Sequence, residues 1–196
     1  MSNGKRSEKT SENEAESDRR LFAADGFHLF SPMIPRELLE RVIPRMDAII
    51  AGDYASGTPP HAVHFGPEDR SDKLKKVDQP HLADPVVYEV IAHPAIGCAV
   101  AGLLDASFVQ VWAVQLLVKP PGRKAGHIGW HQDMQHWNDW WRGEVGTIWI
   151  AVSDIGENCG PMKFVRGSHR WGLNSNPSFF GDPDHSTQQD TIPRPA

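Results

Sequence analysis

Cysteine is scarce in this chain, and the two present, Cys98 and Cys159, lie far apart. Neither a CxxC redox pair nor a zinc-ligand spacing can be built from them, and a disulfide framework is excluded for a domain of this size. A basic excess is missing as well, since 20 Lys and Arg stand against 25 Asp and Glu for a net charge of −5. Without a positive footprint to neutralise phosphates, nucleic acid is not an expected partner. Long hydrophobic runs are also absent. The longest, AIGCAVAGLL at 95–104, falls far short of the roughly 20 residues that span a bilayer, so no membrane partner is expected. The opening MSNGKRSEKTSENEAESDRR lacks the apolar region of a secretory signal. Together these absences point to a reducing, cytoplasmic setting.

What remains is a length of 196 residues, enough for one domain with a buried core. Residues 1–20 are charged and polar, the composition of a disordered tail, and 21–196 are expected to form a single domain. Within IPRELLERVIPRMDAIIAGDY, apolar residues recur at helical spacing between Pro35 and Gly52, which predicts an amphipathic helix. Residues 53–72 read as a long loop. DPVVYEVIAH and HPAIGCAVAGLL predict two more helices separated at Pro94. From Ser107 the period changes: FVQVWAVQLLVK, GHIGWHQD, EVGTIWIAVSDI and PMKFVRGSH have strand composition. Helices followed by strands predict an α+β fold with a mainly antiparallel sheet.

Inside GWHQDMQHW, His131 and Asp133 stand two apart, and on an extended segment their side chains would share a face. One imidazole and one carboxylate are half of a metal site. A His-x-Asp triplet is expected about once by chance in a chain of this composition, so the pattern needs its context.

That context comes from three blocks taken together. QLLVKPPGRKAGHIGWHQD, TIWIAVSDI and ENCGPMKFVRGSHRWG resemble, in order and spacing, the phytanoyl-CoA dioxygenase family of iron(II)- and 2-oxoglutarate-dependent oxygenases. The resemblance covers roughly residues 21–172 and is closest from Gln115 onward. It implies a double-stranded β-helix, or jelly roll, with N-terminal helices packed on one face. It also implies His131 and Asp133 as metal ligands to Fe(2+), with 2-oxoglutarate and O2 as cosubstrates, ascorbate as an accessory reductant, and a small organic or acyl substrate. Two imidazoles and a carboxylate on one face of the iron leave the opposite face open for cosubstrate and dioxygen. Gln115, Lys76 and Trp149 fall where the family contacts 2-oxoglutarate, Gln132 lies between the ligands, and His169 in the Gly-Ser-His turn would brace a strand pair near the site. Each also has a plainer reading: a solvated strand Gln, a surface charge in KLKK, a core Trp, a turn cap. Related halogenases carry a small residue at the carboxylate position, so Asp133 implies hydroxylation.

The family's second His lies several tens of residues beyond the GSHR turn and is followed by an Arg for the distal carboxylate of 2-oxoglutarate. Neither motif occurs before residue 196, and His185, the one later His, sits in the loop-like DPDHSTQQ. The expectation is therefore a domain whose C-terminal strands are missing, with weak iron binding and no turnover. The alternative is a non-catalytic jelly-roll domain with an aromatic-lined pocket, because Trp130, Trp137, Trp140, Trp141, Trp149 and Trp171 cluster in the same stretch. A cupin-type metal protein would require more His than HQD supplies.

Overall fold

The computed structural model describes residues 15–69, 73–120, 128–137, 139 and 141–173. A helix over residues 15–25 (α1) opens the described chain, starting inside the segment expected as a tail. Its anchor is Arg19, which donates to the Gly102 carbonyl at 3.0 Å and pairs with Asp105 at 2.6 Å. Both partners lie at the C-terminal end of another helix, where backbone carbonyls favour a cation. Residues 1–14 lie outside the described residues.

The expected amphipathic helix is Arg36–Ile50 (α2), with Pro35 in the N-cap position and Ala51 closing it. Its inner face contributes Leu38, Val42 and Ile49 to the core. Pro85–Ile91 (α3) and Pro94–Leu104 (α4) follow as predicted, each begun by a proline whose missing N–H costs nothing in the first turn. Asp84 caps α3, its Oδ1 accepting from the amides of Val86 at 2.8 Å and Val87 at 3.3 Å. Its other oxygen accepts from Arg45 Nε at 2.6 Å, so one fully buried carboxylate ties α2 to α3. Pro85–Leu104 is long and apolar enough, by length and composition alone, to cross a membrane. The turn at Ala92–His93 divides it, and Val87 and Val90 of α3 pack in the core.

The sheet is antiparallel, in the order Ala62–Val63 (β1), Lys75–Asp78 (β2), Gln115–Val118 (β3). Val77 pairs with Leu116, and both are buried against α2 and α3. Lys76 opposes Leu117 and Asp78 opposes Gln115. Paired residues of an antiparallel ladder share a face, so Lys76, Asp78 and Gln115 lie on the side away from the core.

The strand expectations hold only in part. Of FVQVWAVQLLVK only the four residues Gln115–Val118 pair, and β2 was not foreseen in a lysine-rich run. Residues 128–132 are irregular and Met134–Trp137 (α5) is a short helix, so His131 and Asp133 stand in a turn rather than on a strand. Residues 144–155 and 161–167 form no ladder among the described residues, and Ser168–Arg170 is a 3-10 turn. A β-prone composition describes a surface that suits a pleat, but the strand exists only where a neighbour supplies hydrogen bonds. Ile148 and Trp149, 48 % and 45 % exposed, lack the burial that would hold them in place. Even so, burial alternates from Trp149 onward, with Ile150 and Val152 packed against the core. Gly126 and His127 of the expected second strand, Trp140, His185 and the loop after Leu173 lie outside the described residues.

Candidate metal centre

The turn that precedes α5 brings the two candidate ligands together. His131 Nε2 lies 3.2 Å from Asp133 Oδ1, with side chains 27 % and 36 % exposed. The other ring nitrogen, Nδ1, donates to the Gly129 carbonyl at 2.8 Å. That bond selects the tautomer that leaves the Nε2 lone pair facing the carboxylate when the ring is neutral. Asp133 Oδ2 accepts a hydrogen bond from Thr147 Oγ1. The Asp133 hydrogen bond holds the His131 imidazolium above the ordinary histidine range, opposed by burial and assisted by the Gly129 carbonyl.

Gln132 faces elsewhere: its Nε2 donates to the Gly172 carbonyl at 2.9 Å, and its amide N–H bonds Gln135 Oε1 at 2.9 Å. These contacts link the triplet to the segment after the GSHR turn and to α5. At the far end of α5, Trp137 meets Trp112 edge-on at 5.2 Å, and Trp112 lies against Trp141 at 5.0 Å. Trp112 is in turn fixed to the sheet through Gln79, whose Nε2 donates to its carbonyl at 3.4 Å and whose Oε1 accepts from Val114 at 3.1 Å.

Lys76 and Gln115 share the outer face of the sheet with Asp78. Lys76 Nζ is 3.4 Å from Asp78 Oδ1, and His64 Nε2 is 2.6 Å from Oδ2. Burial pushes the Asp78 carboxyl up, but the His64 bond and the Lys76 charge outweigh it, and the group is held below the usual carboxylate range. Trp149 lies two residues beyond Thr147, which reaches Asp133. His169 makes its contacts at the end of α1. Its ring packs on Gly26, and its Nε2 donates to the Ala23 carbonyl at 3.1 Å, at the end of α1. Arg170 donates to the same carbonyl at 2.7 Å, and Arg166 bonds both oxygens of Asp25 at 2.7 and 2.8 Å.

Among the described residues, no group of three or more His, Cys, Asp and Glu side chains gathers into a metal cluster. Thr147 and the Gly129 carbonyl beside the His131–Asp133 pair, and the His64–Asp78 pair beside Lys76, are polar contacts that the sequence left unmarked. No local pattern distinguishes Thr147; its partner is set by the approach of two segments.

The family model for phytanoyl-CoA dioxygenase (PhyH) matches residues 22–195. No curated protein and no solved structure gives a significant match.

Proposed function

The chain belongs to the phytanoyl-CoA dioxygenase family, and on that premise we propose that it is an iron(II)- and 2-oxoglutarate-dependent dioxygenase hydroxylating a small organic or acyl substrate. The observation that carries this reading is the His131–Asp133 pair. Two metal bonds of about 2.1 Å at a right angle put their donor atoms about 3 Å apart, and Nε2 and Oδ1 are separated by 3.2 Å. An imidazole and a hard carboxylate oxygen are also the donor types that suit non-haem iron. When bound, the iron with its chelating 2-oxo acid supplies the activation of O2.

The chain's own residues do the positioning. Gly129 fixes the tautomer of His131, so the ring offers Nε2 without a conformational search. Lys76 and Gln115 supply a cation and an amide from one sheet face for the carboxylates of 2-oxoglutarate, with Trp149 as a third contact. Under this reading β1–β3 belong to the family's double-stranded β-helix, the setting is cytoplasmic, and ascorbate serves as accessory reductant. Anaerobic iron(II) titration tests the proposal, with His131→Ala and Asp133→Ala each weakening binding by roughly tenfold or more. Unchanged affinity in both variants refutes it.

The packing of Trp112 on Trp137 and Trp141 favours a second reading, a non-catalytic binding domain that presents aromatic faces to a flat ligand. Such a domain responds to neither iron nor 2-oxoglutarate, so the same titration separates the two.

A further inference from the structure

We infer that Thr147 is a positioning residue of the metal centre: its hydroxyl holds Asp133 so that a single carboxylate oxygen is presented beside His131 Nε2. The inference rests on the metal reading of the His131–Asp133 pair. The two oxygens of a carboxylate are chemically alike, and a freely rotating group can meet a cation through either or both. Here the protein makes them unlike. Oδ2 accepts from Thr147 Oγ1, while Oδ1 faces the imidazole at 3.2 Å. The ring is treated in the same way, with Nδ1 tied to the Gly129 carbonyl at 2.8 Å and Nε2 turned inward. Each donor therefore has its outer atom bonded to protein and its inner atom facing the other donor.

Thr147 can act as a fixed point because of the segment that carries it. Three and five residues on, Ile150 and Val152 pack against the core. Thr147 itself is exposed, so its side chain is not needed to fill the interior. A hydroxyl that donates to an ionised carboxylate makes one of the stronger hydrogen bonds available to a protein. The chemical consequence is economy of coordination. A carboxylate confined to one oxygen takes one position on a metal, and the positions left over can accept a two-point chelate from a 2-oxo acid and a further small ligand.

The test is anaerobic titration of the full chain with Co(II) and Fe(II), comparing wild type, Thr147→Val and Thr147→Ser. Valine keeps the shape of threonine without the hydroxyl, and serine keeps the hydroxyl. Thr147→Val is expected to weaken metal binding by roughly 10- to 100-fold, and Thr147→Ser by no more than about threefold. The metal-free melting temperature of Thr147→Val should stay within about 2 °C of wild type, as for other exposed substitutions. Equal affinity in wild type and Thr147→Val overturns the inference. So does an equal loss in both variants, or a loss confined to metal-free stability. A wild type that binds neither metal removes the metal reading itself, a result distinct from a wild type that binds and a valine variant that binds equally well.

Discussion

Substituting Gly26 by alanine perturbs the contact between the GSHR turn and α1, and its cost can be worked from two separate causes. The backbone of Gly26 has φ +82°, and a Cβ built there meets His169 Nδ1 at 2.3 Å and Cγ at 2.8 Å. An L-residue in the left-handed region costs roughly 1–2 kcal/mol. The ring must then move, which strains the 3.1 Å bond from His169 Nε2 to the Ala23 carbonyl. A lost hydrogen bond costs about 0.5–1.5 kcal/mol, and overpacking adds about 1 kcal/mol more. Gly26→Ala should therefore destabilise the protein by about 2.5–4.5 kcal/mol, lowering Tm by roughly 5–18 °C for a chain of this length.

A double-mutant cycle with His169→Ala separates the causes, because alanine at 169 removes the ring that the new methyl group would strike. In that background Gly26→Ala should cost only the backbone share, about 1–2 kcal/mol. Thermal unfolding followed by circular dichroism gives all four values. If Gly26→Ala costs the same with and without the His169 ring, close approach is not the reason glycine stands there. His169→Ala alone should lower Tm yet leave metal affinity unchanged, since the ring contacts the carbonyl of Ala23 and the backbone of Gly26 rather than the metal pair.

Other outcomes follow from the buried and titrating groups. Asp84→Ala removes the cap of α3 and the partner of Arg45 together, and should cost about 2–5 kcal/mol in a denaturant titration; a loss under 1 kcal/mol would mean the α2–α3 tie is not made. Asp78→Asn should destabilise near neutral pH. Because the folded carboxyl is held low, that difference is full above the unfolded value of 3.8 and vanishes as pH falls through the folded value, so a gap that persists in acid contradicts the assignment. For His131 the sign is opposite. Its raised folded value makes the imidazolium stabilising in the metal-free protein below the ordinary histidine value of 6.5, and this contribution is lost as pH rises through the folded value. A metal needs the neutral ring, so its affinity should climb across the same interval. A stability profile without this loss, or a metal affinity flat in pH, would count against His131.

The helices were legible because their signals are local. Pro35, Asp84-Pro85 and His93-Pro94 mark starts that the observed caps use, and the apolar spacing of α2 names Leu38, Val42 and Ile49 as its inner face. β2 was illegible for the converse reason. Lys75, Lys76 and Asp78 read as solvated charge, and the strand exists because Val77 is buried between α2 and Leu116 while its neighbours pair on both sides. The expected strands after residue 143 failed in the same way, since composition cannot supply a partner.

The candidate centre divides along the same line. His131 and Asp133 are two residues apart, so the sequence could place them together whatever the backbone did, and a turn met that requirement as well as a strand would. Thr147 is 14 residues away and Ala23, the partner of His169, is 146 away. Such contacts depend on how segments meet, and no spacing rule reaches that far. The ligands of a metal site are thus the part a sequence can show, because ligation constrains residue type. The atoms that orient those ligands are constrained only to own a donor or an acceptor, a condition that a threonine hydroxyl and a glycine carbonyl meet here without leaving a trace in the pattern.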